Sequence, residues 1–148
     1  MPRLWAIGCL VQLAIGVLTV AMIANATANR PPLHDTFLVA AHLHWVLQLS
    51  VSFGFFAGLY YLFPKLTGYR YYDVLGSVHF RLLFIGVNIM LVPQVLLVTS
   101  AAGRAAEAPD AFHYWILVSQ LGSFIAVVAS LVFFVNMVLS LLRRRPPD

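Results

Sequence analysis

Hydrophobic and polar positions segregate into blocks along this chain rather than alternating. Runs without a single Asp, Glu, Lys or Arg extend over 4–29, 36–64, 82–103 and 111–142. Each exceeds the roughly 20 residues that an α-helix needs to cross about 30 Å of hydrocarbon. The pattern predicts an all-α membrane protein, a bundle of four transmembrane helices at about 4–26, 36–63, 76–98 and 112–142, forming one membrane domain over 1–148. The segments between the runs are short and rich in turn residues, so sequential helices are expected to be antiparallel neighbours. Arg30-Pro31-Pro32 lies in the first connection, Pro64, Gly68, Tyr69, Tyr71 and Tyr72 mark the second, and Arg104, Glu107, Pro109 and Asp110 fall in the third.

Composition agrees with this reading: 61% of the 148 residues are hydrophobic and only 9% are charged. The formal charge of +4 would suit nucleic acid in a soluble protein, but its distribution points to the bilayer. Arg3, Lys65, Arg70, Arg81 and Arg143-Arg144-Arg145 fall on one predicted side, against Arg30 and Arg104 on the other. The positive-inside bias therefore puts both termini and the 65–73 loop in the cytoplasm. The terminal arginines serve as a topology anchor at anionic headgroups, and no nucleic-acid partner is expected.

The N-terminal run, with Arg3 before it and Ala24-Asn25-Ala26 near its end, has some features of a secretory signal. Its apolar stretch is longer than the usual 7–15-residue signal core, so a retained helix is expected. A single cysteine, Cys9, excludes an intrachain disulfide and reads as a small core or lipid-facing residue. Gly54 and Gly58 form a G-x-x-x-G pattern that would allow close helix packing. Pro93 inside the third run must disturb its helix, because proline lacks the N–H and crowds the preceding turn.

Chemistry concentrates in the second run, where His42 and His44 sit among apolar residues. An unpaired polar group in hydrocarbon costs about 2–7 kcal/mol, so histidines there tend to face a partner. Two positions apart at about 100° per residue, they point to nearly opposite sides of a helix. One metal ion cannot readily take both. Two large planar cofactors, one on each side and each taking one axial imidazole, suit the geometry, and hydrogen bonding to neighbouring helices is the competing reading. His34-Asp35 could cap the second helix and oppose its dipole, or hold a hard cation. His79 reads as interfacial or hydrogen-bonding, and His113 has no evident partner. No H-E-x-x-H, phosphate-binding glycine loop or G-x-S-x-G occurs, so hydrolase, metalloprotease and nucleotide-binding functions are not supported.

These residues resemble a known family. Leu33-His34-Asp35-Thr36-Phe37 followed by Val39-Ala40-Ala41-His42-Leu43-His44-Trp45-Val46-Leu47 resembles the LHDTYY…VAHFHYVL segment of subunit I of haem-copper terminal oxidases of the cytochrome c oxidase type. Pro64, Gly68 and Tyr69 resemble its P…SGY turn. His79-Phe80, Phe84-Ile85-Gly86-Val87-Asn88 and Pro93-Gln94 follow its HF…FIGVN…PQ pattern, and Pro109-Asp110-Ala111-Phe112 with Gly122-Ser123-Phe124-Ile125 look like its PDAY and GSFI. The similarity spans nearly the whole chain but only the ninth to twelfth helices of the family's twelve-helix fold.

The resemblance implies that His42 is the axial ligand of the high-spin, oxygen-binding haem and His44 an axial ligand of the low-spin haem, the haems being of a or b type. It further implies that Arg104 meets haem propionates and that His34 and Asp35 hold magnesium. Copper and the other low-spin haem ligand would come from a partner chain supplying the remaining helices. The chain would be an oxidoreductase only within a multi-subunit terminal oxidase, passing electrons from cytochrome c or quinol to oxygen in a respiratory chain, with the bacterial inner membrane as its expected location. Three departures stand out. Gly103-Arg104 replaces two adjacent arginines, Val95 replaces a histidine after Pro-Gln, and Leu43 replaces an aromatic residue. Two alternatives follow from the same residues: a small haem-binding electron-transfer protein acting as a homo-oligomer, or a non-catalytic accessory subunit of an oxidase.

Overall fold

The computed structural model describes residues 1–27, 37–104 and 109–144, and side chains within 1–25, 43–93, 95–96 and 113–144. It consists of four helices: α1 (Pro2–Thr27), α2 (Phe37–Thr67), α3 (Asp73–Arg104) and α4 (Pro109–Arg143), with no strand among the described residues. All four contain spans long and apolar enough to cross a membrane, so the chain is an integral membrane protein. The helices of 26 to 35 residues measure about 39–52 Å at 1.5 Å per residue. They therefore outreach the hydrocarbon, and Arg3, Lys65, Asp73, Arg104, Asp110 and Arg143 lie within their end turns.

α2 ends in a turn whose chemistry is local. Pro64 lies within its last turns, Lys65 lies in the last turn near the negative end of the dipole, and Gly68 follows with φ of 69°. Gly68 N–H donates to the Pro64 carbonyl at 3.0 Å, satisfying a helix-end acceptor in the left-handed conformation that glycine adopts without strain. α3 opens with Asp73 in its first turn, paired with Arg70 at 3.0 Å. This pair is half-exposed and contributes little.

α1 runs along α2, α3 runs along α4, and α1 also touches α3. In a bilayer the tails are as apolar as the side chains, so close packing decides which helix faces meet. A Cβ built on Gly122 would lie 2.5 Å from the Met90 backbone nitrogen and 2.6 Å from the Gly86 carbonyl oxygen, and one built on Gly86 would lie 2.8 Å from the Gly122 carbonyl oxygen. The α3–α4 crossing is thus a backbone-to-backbone contact that tolerates only glycine at these two positions. The G-x-x-x-G pattern behaves differently: Gly54 merely contacts Cys9 Sγ, and Gly58 faces open space. Its expected role as a packing motif inside the bundle is not realised at Gly58. Cys9 is half-buried against α2.

Pro93 is buried within a helix that continues past it. Near it, Ser119 Oγ on α4 donates to the Met90 carbonyl at 3.1 Å, supplying from a neighbour the kind of hydrogen bond that lets a membrane helix carry a proline. The centre of the fold is an aromatic cluster drawn from three helices and the 68–72 connection, with Trp5, Phe53, Tyr60, Tyr71 and Phe133 buried together with Leu83, Val87 and Ala129. Trp5 alone lies within 4.5–5.7 Å, centroid to centroid, of Phe53, Phe56, Tyr60, His79 and Phe80.

Candidate functional site

The predicted site residues fall into two groups. His34 and Asp35 lie outside the described residues. His42 is part of the α2 backbone and Arg104 is the last residue of α3, while their side chains lie outside the description. His44 is described fully, and it is exposed.

Its position follows from the register of α2. Val46 is 2% exposed and Phe53 and Tyr60 are fully buried, with Ser50 nearly so, and these positions recur at the 3–4-residue spacing of a single helix face. A Cβ on Gly16 would overlap Val46, so that face is pressed onto α1. His44 precedes Val46 by two residues, about 200° of helix rotation. It therefore lies on the outward side, among the exposed apolar side chains of Leu43, Trp45 and Leu47. His42 precedes Val46 by four residues and shares the register of the inward stripe. The two histidines are therefore about 200° apart in the register of one continuous helix.

Gln48, one turn after His44, is also exposed, and among the described residues neither side chain has a hydrogen-bond partner. A turn further on, Ser52 Oγ donates to the Gln48 backbone carbonyl at 2.7 Å. Two open pockets lie nearby, and neither is lined by His44 or Gln48, although Ser52 borders the first. One of about 250 Å³ lies between α2, α3 and α4, lined by Phe53, Phe56, Val87 and Met90 among others. Another of about 380 Å³ opens between α3 and α4 beside Asn88, Pro93 and Trp115.

The donor set fits an axial role towards haem. A porphyrin brings four nitrogens of its own, so one imidazole is the whole contribution required from a helix. The apolar neighbours of His44 suit the flat faces of such a ring. A metal held by protein side chains alone is a different matter, and among the described residues no group of three or more His, Cys, Asp or Glu converges.

A second histidine behaves in the opposite way. His79 is fully buried, and its Nδ1 is 3.0 Å from the Tyr60 hydroxyl. Of the two roles expected for it, hydrogen bonding is the one realised. Its ring is caged by Trp5, Phe56 and Phe133 at 4.5–5.4 Å. Asn136 on α4 also reaches Tyr60 and clasps the backbone of Tyr72, accepting from its N–H at 2.9 Å and donating to its carbonyl at 3.1 Å. Ser140 Oγ donates to the Asn136 carbonyl at 2.6 Å. One polar network therefore joins α2, α3, α4 and the 68–72 connection. Trp5 Nε1 and His79 Nε2 remain buried without hydrogen-bond partners. Tyr71, just outside the membrane spans, has its phenol pushed above its ordinary value by burial and then by nearby Asp73. A third link, Asn88 Nδ2 to Gln12 Oε1 at 3.3 Å, ties α3 to α1. His113 is exposed beside Tyr114.

Comparison with known proteins agrees with the sequence resemblance. A family model described as "Cytochrome C and Quinol oxidase polypeptide I" matches residues 1–125. The chain is 37% identical over 97% of its length to cytochrome c oxidase subunit 1 of Cereibacter sphaeroides, covering 25% of that protein. It is 40% identical over 88% of its length to the subunit of the same name from Yarrowia lipolytica, covering 24% of it. The corresponding values for the Candida albicans subunit are 39%, 88% and 25%. The chain spans about a quarter of the length of these relatives, and it belongs to the cytochrome c and quinol oxidase polypeptide I family.

Proposed function

We propose that this chain works as one four-helix membrane unit equivalent to the C-terminal part of haem-copper oxidase subunit I, or as a short homologue of it. In this reading His42 and His44 are axial haem ligands on opposite sides of α2. The observation that carries it is the His44 imidazole, outward-facing and without a hydrogen-bond partner among the described residues, on an apolar helix that crosses the membrane. Left in hydrocarbon, it would cost several kcal/mol; capped by a metal, it becomes a ligand.

His42 serves the high-spin haem and His44 the low-spin haem. Arg104, at the end of α3, meets propionates, with one guanidinium where its family has two and hence fewer charge-assisted hydrogen bonds. His34 and Asp35 hold magnesium at the edge of α2. The bound haems, of a or b type, would supply one-electron chemistry between a cytochrome c or quinol donor and oxygen, and copper would be held by helices outside this sequence. The clustering of Arg3, Lys65, Arg70 and Arg143 at one end of the bundle supports cytoplasmic termini, and a bacterial inner membrane is the proposed location.

The test is purification in mild detergent with partner identification and haem and copper quantification on the same sample. Two haems and copper in a complex that contains the remaining oxidase helices are expected. Bis-histidine haem without copper, in an assembly of this chain alone, would instead indicate a small electron carrier. A folded preparation without haem would overturn the reading and leave an accessory role.

A further inference from the structure

We infer that Gln48 is a positioning residue for His44: its side-chain carbonyl accepts the imidazole N–H that is left when the other ring nitrogen binds iron. The inference rests on the reading of His44 as an axial ligand. A ligating histidine uses one nitrogen for the metal and keeps a proton on the other, and an acceptor for that proton fixes the tautomer, the ring plane and the basicity of the ligand.

The choice of acceptor on this face is narrow. Within about a turn of His44 the sequence offers Ala40, Ala41, His42, Leu43, Trp45, Val46, Leu47 and Gln48, and of these only Gln48 carries a side-chain oxygen. Residues four apart on a helix are neighbours, and helical side chains lean towards the N-terminus, so the Gln48 carboxamide leans back over the turn that carries His44. Both side chains are exposed on α2. The carboxamide is uncommitted among the described residues, whereas Ser52, the next polar side chain on the helix, already donates to the Gln48 backbone carbonyl. An exposed carboxamide beside an exposed imidazole in a membrane span has a ready chemical use in that hydrogen bond. Holding the proton there makes the imidazole a stronger donor to iron and favours the oxidised haem.

The test uses the assembled membrane complex and four variants. Gln48→Leu, similar in size but without an acceptor, is expected to weaken retention of the low-spin haem by about tenfold or more, to raise its midpoint potential and to shift its EPR g-values. Gln48→Glu, which keeps an acceptor at the same reach, restores retention, and Ser52→Ala changes neither retention nor g-values. His44→Ala separates the two levels of the argument. If it removes the low-spin haem while Gln48→Leu leaves potential, retention and g-values untouched, the positioning role is overturned and the ligand reading stands. If Gln48→Leu loses haem and Gln48→Glu does not recover it, Gln48 acts through packing and the inference is again overturned. If His44→Ala keeps its low-spin haem, both fall together.

Discussion

His79 and His44 are the same residue type in membrane helices of one chain, and their surroundings differ completely. His79 sits inside an aromatic cage with Tyr60 on its Nδ1 and Asn136 beyond. His44 stands on the outer face of α2, with no hydrogen-bond partner among the described residues. A buried, hydrogen-bonded imidazole holds helices together, whereas an exposed imidazole in an apolar span requires something from outside. Burial within the chain thus separates the histidine that packs the helices together from the one proposed as a haem ligand, although both are embedded in similar apolar sequence.

The contrast can be broken most forcefully at His79. His79→Ala removes the ring against which Trp5, Phe56 and Phe133 pack and takes the imidazole partner from the Tyr60 hydroxyl. A loss of about 3–5 kcal/mol is expected, measured as thermal or denaturant unfolding in detergent, with unchanged haem per folded molecule. His79→Phe should cost less, because it also removes the unpartnered Nε2. Next comes Asn136→Leu, which strips both backbone partners from Tyr72. About 2–3 kcal/mol is expected from the same unfolding measurement, together with faster amide exchange over 68–74. Tyr60→Phe removes a single hydroxyl and should cost about 1–2 kcal/mol. A Tyr60→Phe variant as unstable as His79→Ala would show that the hydroxyl, rather than ring packing, carries the region.

The smallest effect is a pH dependence at the same end of the molecule. Burial favours the neutral phenol of Tyr71 in the folded state, so its contribution is complete below the unfolded value near 10 and is lost as pH rises from there towards the raised folded value. Tyr71→Phe should flatten that alkaline decline in unfolding titrations.

Much of this was legible in the sequence because bilayer thickness imposes a length signal. Four long apolar runs can hardly be anything but four spanning helices, and the two-residue spacing of His42 and His44 fixes their divergence on any helix. Helix ends were harder to read, since a helix does not stop where hydrocarbon does: α3 already starts at Asp73 and continues to Arg104. The G-x-x-x-G pattern showed that Gly54 and Gly58 are close on one helix, but not which neighbour they meet. The tight crossing instead uses Gly86 and Gly122, far apart in sequence and unconnected by any spacing rule. His79 and Tyr60 pair across a turn, which no local pattern reveals. Gln48 did have a signal, its i+4 relation to His44, and that signal acquires meaning only once the face is known to be exposed.

The most direct test of the account is the low-temperature EPR and reduced-minus-oxidised optical spectrum of the purified wild-type and His44→Ala complexes, compared at equal folded protein. The low-spin haem signal is expected to be lost in the variant, while the helical content and subunit composition of the purified complex stay those of the wild type. An unchanged low-spin signal in a folded His44→Ala complex would contradict the account.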